Sequence, residues 1–118
     1  MNNKEKDNSE RPWGRYLVIE DNENYKIKRI EVNPNGRLSY QYHLKRAESW
    51  TIIKGQGIVT IDGVDQKVSE GESIKINKQA KHRIFNNGDT TLIFIEVQTG
   101  TYFGEDDIIR IEDDYNRT

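Results

Sequence analysis

The chain has no cysteine, which removes disulfide frameworks and thiolate chemistry together. No apolar stretch approaches the length of a membrane span or a signal-peptide core, so the expected compartment is the cytoplasm and a membrane is not an expected partner. There is no excess of basic charge. Lys and Arg number 18 against 20 Asp and Glu, leaving a net charge of −2, so nucleic acid has no electrostatic footprint to bind. Before the C-terminal tail no helical apolar period runs longer than about two turns. Internal repeats and βαβ alternation are also absent, which argues against any α/β fold. A Gly-rich nucleotide loop is missing as well, so nucleotide transfer is not expected.

What is present is β-type patterning. Within 118 residues, one domain by size, mean hydropathy is only −0.94. The apolar residues nevertheless cluster in short Ile, Val, Tyr and Phe runs: RYLVIE, YKIKRIEV, LSYQYH, SWTIIK, GIVTID, SIKI, HRIF and TLIFIEVQ. Such runs between turn residues read as about eight to ten strands of an all-β protein with a thin core. Asp62-Gly63 and Asn87-Gly88 each separate two runs and are favoured type I′ dipeptides, so two hairpins are expected. Residues 1–10 contain nothing apolar after Met1 and read as a disordered polar leader, with the folded domain spanning 11–118. The tail GEDDIIRIEDDY fits either a short helix or an edge strand. Trp13 and Trp50 read as packing residues.

Histidine is scarce, and its placement is informative. On a strand, Gln41 and His43 share a face. Glu48 follows a turn at residues 44–47, and His82, the second of the two histidines, lies about 40 residues on. Two imidazoles, a carboxylate and an amide oxygen suit a divalent metal of intermediate hardness with positions left open. Spacing alone equally allows surface histidines or hydrogen-bonded core histidines.

The register of these residues resembles the two cupin motifs. Gln41, His43, Glu48 and Gly55 fall in place in the first, with Asn35 where glycine is usual. Gly71, His82 and Asn86 fall in place in the second, with Asn77 and Gln79 in place of proline and glycine. The flanks RPWGRY, KRIEV, RAESW and IEVQTGTYFGEDDIIRIEDDYNR are similar to the isomerase domain of type II phosphomannose isomerases over about residues 11–117, a domain commonly fused behind a mannose-1-phosphate guanylyltransferase.

The resemblance implies a single-domain cupin, an antiparallel jelly-roll β-barrel. It further implies a stand-alone, metal-dependent aldose–ketose isomerase interconverting mannose 6-phosphate and fructose 6-phosphate. Gln41, His43, Glu48 and His82 are the implied metal ligands. Zinc is the first choice, with manganese, iron, nickel and cobalt as alternatives. Where relatives have a histidine-rich run ending in RAEHW, this chain has Leu44, Lys45 and Ser49, which leaves no free histidine to act as a base. The candidates for proton transfer are then Glu96, Lys45, Asp106 and Asp107. Arg46, Lys45, Arg83 and the family-matching Arg117 are the candidates for holding a phosphosugar, Arg117 also as a catalytic residue on a tail folded over the barrel mouth. The alternatives are a metal- and sugar-binding cupin without turnover and a cupin acting on a different substrate, including oxygenase chemistry. Exposed strand edges and the segment RPWGRYLVIE suggest a homodimer.

Overall fold

The computed structural model describes residues 10–115, and within them the chain is all strand and turn. Eleven strands follow in order: β1 Glu10–Arg11, β2 Gly14–Asp21, β3 Tyr25–Val32, β4 Tyr40–Tyr42, β5 Arg46–Lys54, β6 Gln56–Ile61, β7 Val64–Ser69, β8 Ser73–Ile76, β9 His82–Phe85, β10 Leu92–Gly100 and β11 Ile109–Glu112. They form two sheets, ordered β1-β2-β3-β10-β5-β8 and β11-β4-β9-β6-β7, and every recorded pairing is antiparallel. This is the expected single-domain antiparallel jelly roll.

Each of the eight apolar runs contains a strand. The three additional strands lack such a run. β7 buries only Val68, β1 has two residues, and the ambiguous tail supplies β11, an edge strand on β4. Glu10, assigned to the leader by composition, pairs with Arg15. The remainder of that leader lies outside the described residues.

Of the two expected hairpins, one forms. Asp62 and Gly63, at φ 48° and 83°, make the tight turn between β6 and β7. Asn87-Gly88 does not make a hairpin, because β9 and β10 belong to different sheets. The buried Asn86 reshapes this connection. Its amide nitrogen donates to Val32 O and Thr90 O, and its oxygen accepts from Gly88 N–H, directing the chain across to the other sheet.

β10 lies between β3 and β5 and determines which side chains enter the barrel. Leu92, Phe94, Glu96 and Gln98 point inward, while the Ile93, Ile95 and Val97 positions alternate to the outer face. Leu92 and Phe94 join Trp50, Ile52, Val59, Ile76 and Ile84 in one core at the end where both sheets are apolar. Trp50 packs on Phe94 at 4.8 Å between ring centroids. Further along the same strands the inward positions become polar, and the core gives way to a cavity.

Candidate metal centre

The polar inward positions of the two sheets meet at His43, Glu48 and His82. β4 and β9 pair Gln41 directly with His82, His43 follows β4 immediately, and Glu48 enters from β5 of the other sheet. All three candidate ligand side chains are about 2 % exposed, and one donor atom from each lies within 4.8 Å of the others. His43 Nε2 is 3.2 Å from Glu48 Oε2, and His82 Nε2 is 3.8 Å from Glu48 Oε1.

Hydrogen bonding at the far side of each ring fixes what the near side offers. His43 Nδ1 lies 2.7 Å from the Asp107 carbonyl and His82 Nδ1 lies 2.8 Å from the Ala80 carbonyl. A carbonyl only accepts, so each Nδ1 carries a hydrogen and each ring turns its Nε2 toward Glu48. Burial holds the His82 pKa below its ordinary value, only partly opposed by Glu48, which keeps that ring neutral. His82 Nε2 is fully buried without a hydrogen-bond partner. Burial pushes the Glu48 carboxyl up, but His43 and the Arg46 guanidinium outweigh it and hold the group well below the usual carboxylate range. Two imidazole Nε2 atoms and a carboxylate thus converge on one buried point, an arrangement suited to a cation.

Gln41 borders the same point. Its Nε2 lies 3.4 Å from His43 Nε2, and its Oε1 accepts from the Ser39 hydroxyl. A half-turn of the amide would exchange these atoms, directing oxygen toward the ligands while the nitrogen donates to Ser39. The donor set of Gln41, His43, Glu48 and His82 therefore fits a divalent ion.

The surrounding groups hold the ligands in place. Arg46 Nε donates to Glu48 Oε2 at 2.9 Å, and its Nη2 lies 3.3 Å from His43 Nε2. Trp50 Nε1 is shared between Glu48 Oε1 and Glu96 Oε1, 3.0 Å from each. Gln98 Nε2 donates to Glu96 Oε2 at 2.6 Å. Burial, reinforced by the nearby Glu48 charge, pushes the Glu96 carboxyl up to about 7. The Asp107 side chain accepts from Leu44 N–H and Lys45 N–H, fixing the turn that carries His43.

Beside this centre opens a cavity lined in part by Arg11, Lys28, Gln41, Arg46, Glu96 and Glu105. Of the candidate site residues, Gln41, Arg46 and Glu96 border it. Lys45 does not. It is exposed, with Nζ 5.2 Å from the centre of the Tyr102 ring. Arg83 projects from the face of β9 opposite His82 and Ile84, donates to Leu38 O and approaches Glu112 of the tail. Asp106 bonds the exposed Tyr102 hydroxyl, and Asp107 is committed to the His43 turn. Neither aspartate borders the cavity. Arg117 lies outside the described residues. Leu44 and Ser49, where the chain departs from the histidine-rich pattern, are both exposed. Trp50 packs in the core as expected, and the buried Trp13 also borders the cavity. Lys28 and Gln98 were not singled out from sequence. The available signal was a polar residue at an inward position of an otherwise apolar strand.

Comparison with known proteins identifies the family and the fold. The family described as mannose-6-phosphate isomerase C-terminal matches residues 1–113. Mannose-1-phosphate guanylyltransferase ManC of Salmonella typhimurium is 46 % identical over 107 residues, which is 91 % of this chain and 22 % of that protein. The chain thus spans under a quarter of such relatives. Among solved structures, the capsular polysaccharide assembling protein CapF of Staphylococcus aureus superposes with a TM-score of 0.77 at 18 % identity, covering 87 % of this chain and 31 % of that one. A conserved protein with a double-stranded beta-helix domain from Klebsiella pneumoniae gives 0.76 at 18 % identity, covering 91 % and 94 %. These structures share the fold.

Proposed function

Because the chain belongs to the mannose-6-phosphate isomerase C-terminal family, we propose that it is a metal-dependent aldose–ketose isomerase interconverting mannose 6-phosphate and fructose 6-phosphate. The observation that carries the reading is the pair of Nε2 atoms turned toward Glu48, each ring fixed by a backbone carbonyl behind it.

Gln41, His43, Glu48 and His82 would hold the ion, with zinc the first expectation and manganese, iron, nickel or cobalt also compatible. When bound, it supplies Lewis-acid stabilisation to the oxygens of the sugar on which negative charge develops. The protein's own groups handle the proton. Isomerisation moves a proton from C2 to C1 and, to balance it, the proton of the O2 hydroxyl to O1. Glu96 borders the cavity, is held by Trp50 and Gln98, and is not a ligand, so it accepts the first proton and donates to the second carbon. A pKa of about 7 keeps both its forms accessible near neutrality. Arg46 remains charged because burial, which disfavours the cation, is outweighed by Glu48 and Glu96. Its buried Nη1 has no protein partner and is available to a sugar oxygen.

An anaerobic assay of mannose 6-phosphate conversion, run on zinc-loaded and on chelated protein, tests the reading. Turnover is expected only with metal. Full activity after chelation would overturn the metal-dependent reading. Saturable phosphosugar binding without conversion would instead assign a binding role, and oxygen consumption would assign oxygenase chemistry.

A further inference from the structure

The cavity has a second polar end, built from residues that the metal centre does not use. Lys28 is 4 % exposed on β3, its Nζ 4.1 Å from the centre of the Tyr16 ring. Arg11 on β1 stacks on the same ring at 4.8 Å and donates to the Tyr16 hydroxyl at 3.1 Å. One aromatic face system thus positions two cations from different strands. A buried lysine requires an anion, and here the chain supplies one: Glu105, on the connection between β10 and β11, reaches Lys28 Nζ at 2.6 Å. Its side chain is 40 % exposed, whereas that of Lys28 is 5 % exposed. The cation is therefore the fixed member of the pair, and the carboxylate lies on the solvent side. Burial pushes Glu105 up, yet Lys28 and Arg46 hold it below its ordinary value.

Charge balance leaves this end short of anions. Two cations, Arg11 and Lys28, face a single carboxylate, Glu105, at this end of the cavity. Strand register relates it to the metal centre. Lys28 pairs with Glu96 and Glu96 pairs with Trp50, the neighbour of the candidate ligands, so two strand spacings, about 10 Å, separate the backbone of Lys28 from that of Trp50. That separation suits a hexose with its reacting carbons at one end and a charged ester at the other.

We propose that Lys28 and Arg11, aided by Arg46, form the phosphate subsite of this cavity, and that Glu105 occupies it as a built-in competing anion displaced when a phosphoester enters. This proposal rests on the phosphosugar reading of the site. Lys28 supplies a point charge and the guanidinium groups supply paired donors. Glu105 excludes unphosphorylated sugars because they cannot replace its charge.

The test is direct binding of inorganic phosphate and of mannose 6-phosphate to the zinc-loaded full chain by calorimetry, with metal content measured for every variant. Lys28→Met and Arg11→Met are each expected to weaken phosphate binding about tenfold or more while metal content stays constant. Glu105→Gln, at a partly exposed position, should tighten phosphate binding severalfold. It also covers the case in which Lys28→Met fails to fold. Unchanged phosphate affinity in folded Lys28→Met and Arg11→Met, or no tightening in Glu105→Gln, overturns the subsite. Phosphate affinity that shifts as expected without any isomerase turnover would sink only the isomerase reading. Turnover with an unchanged KM for mannose 6-phosphate in the Lys28 and Arg11 variants would sink only the subsite.

Discussion

At the scale of single residues, the two imidazoles are held by the protein but are not needed to build it. Each ring packs within 6 Å of aromatic neighbours, so His43→Ala or His82→Ala should cost about 1–3 kcal/mol and leave the far-UV spectrum of the barrel intact. Bound metal and isomerase activity should fall together. Metal content near that of the unaltered chain in either variant would argue against these ligands. Glu96→Gln keeps the shape of the site and its amide still meets Trp50, but it removes the proposed proton carrier. A drop in kcat of at least about a hundredfold is expected with little change in bound metal. The candidate ligand set is legible because histidine is scarce and its spacing matches a known register. Glu96 was ambiguous in sequence, since an outward carboxylate on a strand is ordinary. Its inward phase becomes clear only once Leu92 and Phe94 are known to face the core, which also places Gln98.

At the scale of elements, the loop before β9 carries strain. Gln79 adopts φ 67° at the position where the cupin motif usually has glycine, and its N–H donates to His43 O at 2.8 Å. A side chain in this left-handed region is disfavoured, so Gln79→Gly should stabilise by about 0.5–1 kcal/mol after the extra entropy of the unfolded glycine is deducted. For a domain of this size that is a rise of about 2–5 °C in Tm. A lower Tm would show that Gln79 makes compensating contacts. Asn35, at φ 66°, also stands where glycine is usual, but asparagine tolerates this conformation better. Strands with alternating apolar residues were readable from the chain. β7 was not, because the row it shows to solvent is polar and only Val68 is buried. Asn87-Gly88 misled for a different reason. A turn dipeptide encodes a local bend, whereas the sheet its flanks join is decided by the side-chain bonds of Asn86.

For the whole molecule, a bound metal ion and protons would both act on stability. An ion that binds only the folded chain adds about 2.7 kcal/mol at a hundred times its Kd. Zinc should therefore raise the Tm of the unaltered protein, and it should do nothing for His82→Ala. In chelated protein, Glu48, Glu31 and Asp114 have folded pKa values below their ordinary ones, so the stability they confer at neutral pH is lost as pH falls below about 4.5. His82 is also lowered, so its loss begins as pH drops through about 6.5. Glu96 has the opposite sign. Its folded value of about 7 lies above the ordinary 4.5, so the folded state binds the extra proton and stability declines as pH rises through that window. Chelated Glu96→Gln should accordingly exceed the unaltered chain in Tm at pH 8, by a margin that shrinks toward pH 5. An equal margin at both pH values would contradict the burial of an ionised Glu96. The central place of β10 also sets a timetable. The first sheet cannot unite β3 with β5 until residues 92–100 exist, and the His43 ring gains its carbonyl anchor only when residue 107 arrives. Such closures across long stretches of sequence are slow to nucleate. On a ribosome the N-terminal hairpin must wait with one edge unpaired, so this chain is expected to acquire its metal after synthesis, and a truncation before residue 92 should aggregate rather than fold into a smaller barrel.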